Sequence, residues 1–164
     1  RAVNVEEIQD FVENQIMDSY EAMYRLAYSY VQNENDALDI VQESVYKAIK
    51  NSASVTQEAY IKTWIWRIVI NTAIDFIRKS QNEISVDAFH DKGQEDKYCD
   101  FDTIEALKAL DEKEKTVIVL RFFEDRKLRE IADILNENEN TVKTILYRGL
   151  KKLKIKLAEG GTVL

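Results

Sequence analysis

The chain has 164 residues, 45% of them hydrophobic, which is enough for one medium-sized core or two small ones. It contains no proline and only four glycines, so little interrupts helices and an all-α fold is predicted. No apolar run reaches the roughly 20 residues that cross a bilayer, and the acidic start does not resemble a signal peptide. We therefore expect a cytoplasmic protein. One cysteine, Cys99, and one histidine, His90, exclude an internal disulfide and a zinc cluster, and both are expected at the surface.

The net charge of −7 is unevenly distributed along the chain. Residues 1–50 carry −6 and residues 51–80 carry +2, whereas residues 81–116 carry −6 and residues 117–164 carry +3. Acidic and basic segments therefore alternate. A polyanion can meet the basic segments while a basic protein surface meets the acidic ones, so the negative total does not exclude a nucleic-acid partner.

An acidic amphipathic helix is predicted from Asp36 to Lys50. Its apolar side chains can be buried on one face: Ile40, Val41, Val45, Ala48 and Ile49. The outward face then holds Asp39, Gln42, Glu43 and Lys47. Charge on an outer face usually indicates solvation alone, so this pattern by itself does not predict a partner.

A longer helix is predicted between Tyr60 and Lys79, with large residues on both faces. Its expected core face holds Ile65, Val69, Ile70, Ala73, Ile74 and Ile77. On the other side a stripe recurs at intervals of three or four residues, and we call it the mixed stripe: Tyr60, Trp64, Arg67, Asn71 and Arg78, with Asp75 among them. Rings that stack, an amide that reads an edge and cations for the backbone suit unpaired bases. Packing of the two aromatic rings beneath a neighbouring helix is the alternative.

Residues 81–101 are predicted to be a linker between two helical domains, 1–80 and 102–164. The apolar residues there lose helical period, and acids such as Asp87, Asp91 and Asp100 leave no face to bury.

The C-terminal segment predicts a helix-turn-helix. Apolar residues from Leu128 to Leu135 fall at helical spacing, polar residues 136–140 interrupt them, and a second helix opens near Thr141. Its apolar face holds Val142, Leu146, Gly149, Leu150, Leu153 and Leu157, and Thr144, Tyr147, Arg148 and Lys151 project oppositely. Between residues 140 and 158 there are six basic side chains and no acidic one.

Such a second helix suits the major groove of DNA. Side chains near its N-terminus would reach base edges, whereas Lys151, Lys152 and Lys154 would lie at phosphates. An ordinary helical hairpin with a solvated basic face is the alternative.

Taken in order, these segments resemble the extracytoplasmic-function sigma factors of bacterial RNA polymerase. The stretches DALDIVQESVYKAI (36–49), YIKTWIWRIVINTAIDFIRK (60–79) and LREIADILNENENTVKTILYRGLKKLK (128–154) are similar to family regions 2.2, 2.3 to 2.4, and 4.2. The resemblance implies an all-α protein of two small domains, a region 2 bundle and a region 4 helix-turn-helix, joined by the acidic linker. It implies no catalytic activity, cofactor, metal or small-molecule substrate.

The resemblance also implies roles for individual residues. Asp39, Gln42 and Glu43 match positions that dock on the clamp helices of the polymerase's largest subunit. Trp64, Arg67 and Asn71 match the part that opens the minus-ten element, with Asn71 near a pocket for a flipped base. Matches to recognition-helix positions that face the minus-thirty-five element are Lys143, Thr144, Tyr147 and Arg148. The linker would thread toward the RNA exit path, where negative charge can imitate a transcript.

Two departures from the family pattern concern the helix-turn-helix. Ile145 stands where an arginine is common, which bears on base preference. Asn136 stands where a glycine often ends the first helix, which bears on the geometry of the turn.

The partners implied are promoter DNA, core RNA polymerase and a membrane-anchored anti-sigma factor, which would hold the chain at the inner face of the membrane until an envelope or extracytoplasmic stress. A stand-alone helix-turn-helix repressor or activator, using residues 1–80 for dimerisation or ligand binding, is the main alternative, and a pure interaction module is another. An enzyme is not favoured, since the sequence offers no metal cluster, nucleophile and base arrangement or glycine-rich phosphate loop.

Overall fold

The computed structural model describes residues 4–83 and 106–159, with the backbone alone for 83 and 156–159. The regular elements in these ranges are helices, as the composition predicts. Six helices have both ends in the described residues: α1 Val5–Val31, α2 Glu34–Lys50, α3 Ile61–Glu83, α4 Glu112–Ile118, α5 Leu128–Leu135 and α6 Glu139–Glu159. Shorter turns are 3-10 at Ser52–Ser54 and Glu58–Tyr60, and a π turn at Val119–Phe123 that continues α4.

The first domain is a bundle of α1, α2 and α3, each of which packs against the other two. Asparagine caps the first two helices. The side-chain oxygen of Asn4 accepts the backbone N–H of Glu7 at 2.8 Å, and that of Asn33 accepts the N–H of Asp36 at 2.9 Å. Each cap satisfies a donor that the first turn of a helix cannot pair internally, so both helix starts are fixed locally.

The core of the first domain includes the faces predicted for α2 and α3, with one exception, together with one face of α1. Buried side chains include Ile8, Val12, Met23, Leu26, Ile40, Val41, Ile65, Val69, Ile70 and Ala73. Ile74, Ile77 and Val45 are partly buried and pack against this core. The prediction for Ile49 was wrong: it is 39% exposed, because it continues the outward face of α2 one turn beyond Tyr46.

The second domain packs α6 against α4 and α5. Helix α4 begins with a reciprocal capping box: Glu114 donates its N–H to the side chain of Asp111 at 2.8 Å, and Asp111 donates its N–H to the carboxylate of Glu114 at 2.9 Å. The buried core of this domain includes Val117, Ile118, Leu120, Ile131, Ile134, Val142, Ile145 and Leu146.

The turn between α5 and α6 accommodates the asparagine at position 136. Asn136 adopts the left-handed conformation with φ 55°, which asparagine tolerates better than most residues. The N–H of Glu137 donates to the carbonyl of Ala132 at 2.9 Å and that of Asn136 to Asp133 at 3.3 Å. This is the hydrogen-bond pattern of a Schellman motif, so asparagine replaces glycine here with the turn geometry intact.

The two domains lie in contact through α3 against α5 and through α1 against α4 and the π turn. Helix α3 runs to Glu83, past the predicted boundary at residue 80, because neither proline nor glycine interrupts residues 81–83. The rest of the predicted linker, including Cys99 and His90, lies outside the described residues.

Candidate nucleic-acid and polymerase interfaces

Helix α6 presents a polar, basic face to solvent. Asn138 fixes its start by accepting the N–H of Thr141 on its side chain at 2.7 Å. Lys143, Thr144 and Tyr147 then lie on one exposed side, and the ring of Tyr147 is largely in solvent. Asn140, three residues before Lys143, belongs to the same exposed side and was not predicted. This part of α6 has the shape and chemistry to enter a DNA groove.

Arg148 and Lys152, also predicted to meet DNA, bond to a carboxylate of their own domain. The Nε of Arg148 donates to Glu114 at 2.6 Å, and the Nζ of Lys152 donates to the other Glu114 oxygen at 2.8 Å. A second carboxylate oxygen, Oδ2 of Asp111, lies 3.6 Å from Nη2 of Arg148. Both cations therefore tie α6 to the start of α4, while Lys151 is exposed.

Glu114 is the buried centre of this cluster, with 0% of its side chain exposed. Burial by itself raises the pKa of Glu114, but hydrogen bonds from Lys152, from the Asp111 backbone and from Arg148 outweigh it and hold that pKa below the usual range. The carboxylate thus stays ionised and fixes the back of α6. The sequence signal that could have found it is Asp111 followed three residues later by Glu114, the pattern of a capping box.

The apolar side of α6 packs into the domain, and Ile145 and Gly149 lie on it. Ile145 is buried in the domain core, so the residue that departs from the family pattern contributes to packing. A Cβ added at Gly149 would lie 2.9 Å from the Cδ1 of Ile118. Glycine therefore lets α6 approach α4 closely enough for the ion pairs of Glu114 to form.

The mixed stripe lies along α3 and the turn before it, but its members differ in accessibility. Asn71 and Arg78 are exposed, whereas Trp64 and Arg67 are half-buried. An Nη of Arg67 donates to the hydroxyl of Tyr60 at 2.6 Å, and the guanidinium lies 5.6 Å from the centre of that ring.

Arg67 also reaches the second domain. Its Nε donates to the carbonyl of Ile134 at 3.1 Å, and its other Nη donates to the carbonyl of Asp133. The N-terminal half of the stripe is therefore both internally bonded and partly covered by α5.

The outward face of α2 is as predicted for Asp39, Gln42 and Glu43, which are all exposed. Tyr46 and Ile49 extend this face along the next turns, and Tyr46 is 60% exposed. The Nζ of Lys50 lies 5.7 Å from the centre of the Tyr46 ring. The result is an acidic patch that continues into an exposed apolar one, and sequence reasoning missed its apolar half.

Within residues 4–83 and 106–159, no group of three or more acidic, histidine or cysteine side chains could hold a metal ion. None of the helices in those ranges is long and apolar enough to span a bilayer.

Two family models match the chain: Sigma-70 region 2 over residues 16–83 and Sigma-70, region 4 over residues 106–154. RNA polymerase sigma factor SigV of Bacillus subtilis (strain 168) is 51% identical over 148 residues, which cover 88% of this chain and 89% of SigV. The ECF RNA polymerase sigma factor SigW of the same strain is 31% identical, and the match covers 88% of this chain and 88% of SigW.

Two solved structures share the fold. The sigma factor RpoE in complex with the anti-sigma factor NepR from Bartonella quintana has a TM-score of 0.76 at 22% identity, covering 89% of this chain and 96% of RpoE. CnrH in complex with the cytosolic domain of CnrY has a TM-score of 0.72 at 19% identity, covering 94% of this chain and 95% of CnrH.

Proposed function

This chain belongs to the extracytoplasmic-function sigma factors of RNA polymerase, and we propose that three of its surfaces divide the work of the family. As a sigma factor, the chain binds core RNA polymerase and directs promoter-specific initiation of transcription. The outward face of α2 binds the polymerase, the mixed stripe binds the opened minus-ten element, and the exposed side of α6 binds the minus-thirty-five element.

The exposed side of α6 carries the proposal for the upstream element. Lys143, Thr144 and Tyr147 project into solvent near the N-terminus of α6, with Asn140 beside them. Lysine and asparagine side chains have the donors that recognise guanine and adenine edges in the major groove. Lys151, farther along, adds affinity at phosphates. Arg148 and Lys152 hold the helix in position through Glu114, a role that differs from the base and phosphate contacts expected of them.

The mixed stripe supports the proposal for the downstream element. The exposed amide of Asn71 can bond to the edge of a flipped base, and Arg78 can neutralise a phosphate. Tyr60, Trp64 and Arg67 supply ring faces and a further cation once they are uncovered.

The polymerase surface combines two chemistries on α2. Asp39 and Glu43 give it charge that complements a basic partner, and Tyr46 with Ile49 gives it an apolar part. Exposed tyrosine and aliphatic side chains beside charge are typical of an interface with a buried centre and a polar rim. The clamp helices of the largest polymerase subunit are the partner we propose.

An anti-sigma factor is a further proposed partner. Among the solved structures that share the fold, RpoE is in complex with the anti-sigma factor NepR, and CnrH is in complex with the cytosolic domain of CnrY. We propose that a membrane-anchored factor holds this chain at the cytoplasmic face of the membrane until an envelope stress releases it. The chain then acts as a regulatory subunit without catalysis of its own.

Charge reversal on α2 tests the polymerase surface. Asp39→Arg with Glu43→Arg should weaken binding to core polymerase by about tenfold or more in a native gel shift, because like charges then face the basic partner. The matched control is Glu6→Arg with Asp10→Arg, which reverses two exposed acids at the same spacing on α1. Equal binding by the Asp39/Glu43 double variant and the parent would refute the assignment.

A further inference from the structure

The guanidinium of Arg148 is directed toward the start of α4 by two carboxylates. Its Nε donates to an oxygen of Glu114 at 2.6 Å, and its Nη2 lies 3.6 Å from Oδ2 of Asp111. Nε and Nη2 form one edge of the planar group, and an arginine recognises guanine by presenting two N–H groups side by side. In Arg148 that edge is occupied within the second domain.

Without these contacts Arg148 would stand among the side chains proposed to read the upstream element. It follows Tyr147 directly and lies about one helical turn after Thr144. The Arg148 side chain is 49% exposed, so a DNA groove can approach it from the outer side. The direction of the guanidinium, rather than the place of Arg148 on α6, therefore decides whether this residue meets a base.

The ion pair between Glu114 and Arg148 is strong enough to persist on DNA. The side chain of Glu114 is 0% exposed, and its second cationic partner is Lys152, whose Nζ lies at 2.8 Å. When a buried carboxylate loses a cation, the loss of free energy exceeds the discrimination that one bidentate base contact provides. Arg148 therefore stays on Glu114 as long as the carboxylate is present.

We propose that Glu114 is a specificity-determining residue for the upstream element, because it withholds Arg148 from the DNA groove and so limits the bases that α6 reads. Lys143, Thr144 and Tyr147 then read the element without a competing arginine. Arginine is the side chain that most often recognises guanine, so release of Arg148 adds a guanine preference that the parent lacks. Glu114 is buried and acts through Arg148 as a positioning residue. This inference rests on the proposed role of α6.

Glu114→Gln releases Arg148 with little change in shape. Glutamine can replace glutamate at this position of a capping box, so the start of α4 is retained. Each full-length variant is assembled with core polymerase, and its affinity is measured for upstream duplexes in which every position carries each base in turn. Glu114→Gln should favour guanine by about fivefold or more at one position where the parent has no such preference.

Double variants show whether the new preference comes from Arg148. Glu114→Gln with Arg148→Ala should lose the guanine preference, whereas Arg148→Ala alone should keep the parental preference. Glu114→Gln with Lys152→Gln removes one cation together with the acid, so it avoids an unbalanced charge and provides the test if the single variant does not fold. This second double variant should show the guanine preference. The control is Glu137→Gln, which neutralises a carboxylate whose partner, Lys113, lies on α4, and it should keep the parental preference.

Two results would overturn the proposal. One is a parental base preference in Glu114→Gln and in its double variant with Lys152→Gln. The other is a new preference in Glu114→Gln that survives Arg148→Ala, which would mean that Glu114 does not act through Arg148. Lys143→Ala separates these results from a failure of the proposed function. If α6 does not read the upstream element, Lys143→Ala loses no discrimination between cognate and scrambled duplexes, and if only the role of Glu114 is wrong, it loses that discrimination.

Discussion

The two surfaces proposed to meet DNA differ in how far they are exposed in the free chain. On α6, Lys143, Thr144 and Tyr147 are exposed, whereas on α3 Trp64 and Arg67 are half-buried. Arg67 also donates to carbonyls of α5 in the second domain. Their chemistry accounts for the difference. Duplex recognition uses polar and charged groups that water solvates well, but unpaired bases need ring faces, and exposed apolar surface invites association. Groups that suit unpaired bases are therefore also prone to pack against other parts of the same chain.

The two surfaces also differ in how they are supported. Helix α6 is anchored from behind by Glu114, so its outward side is rigid and ready for a groove. In the mixed stripe, by contrast, Arg67 donates hydrogen bonds to the carbonyls of Ile134 and Asp133 on α5.

The largest effect is expected from removing the anchor. Glu114→Ala should lower the free energy of unfolding by about 3 kcal/mol, because it breaks a buried ion pair and leaves two cations without their partner. Urea unfolding measures it. Glu137→Ala is the matched control, since its pair with Lys113 is at the surface and should be worth less than about 1 kcal/mol. Similar losses in the two variants would show that Glu114 anchors nothing.

The next effect concerns readout by the open side of α6. Lys143→Ala should cost about 1 to 3 kcal/mol on the cognate upstream element and less on a scrambled one, because a base edge loses its donor. Binding of the polymerase complex to both duplexes measures it. The control is Lys154→Ala, exposed on the same helix, which should weaken both sequences alike. Equal losses from Lys143→Ala on both would reduce Lys143 to a phosphate contact.

The smallest effect is expected at Arg148, whose guanidinium is already engaged by a carboxylate of its own domain. Since its guanidinium is bonded to Glu114, Arg148→Ala should change the ratio of cognate to scrambled affinity by less than about twofold, although the variant is less stable. The same duplex pair measures the ratio. A loss confined to the cognate sequence would mean that Arg148 leaves Glu114 in the complex and reads a base.

Local pattern predicted most of the helices and faces, and tertiary partners account for what it missed. The periodicity at residues 128–157 was enough for a helix-turn-helix, and that at 60–79 was enough for α3. Arg148 could not be assigned in this way, because its partner Glu114 lies 34 residues earlier. The pair of Arg25 and Glu124, 99 residues apart, is equally invisible to a helical period.

Ile49 shows the limit within one helix. Its spacing from Val45 and Ala48 predicted burial, but no neighbouring helix covers the last turn of α2 on that side. Whether an amphipathic edge is covered depends on the length and crossing of its neighbours, which the spacing of apolar residues does not contain.

Strand opening by α3 is the central claim, and permanganate reactivity of unpaired promoter thymines tests it most directly. In complexes with core polymerase, Asn71→Ala should give weak reactivity on duplex promoter and near-parental reactivity on a template with a pre-melted bubble. The contact between Asn71 and the flipped base offsets the cost of unstacking during strand separation, and the pre-melted bubble bypasses that step. Core binding by the same variant should be unchanged. Parental reactivity of Asn71→Ala on the duplex, with unchanged preference at every downstream base, would contradict the account.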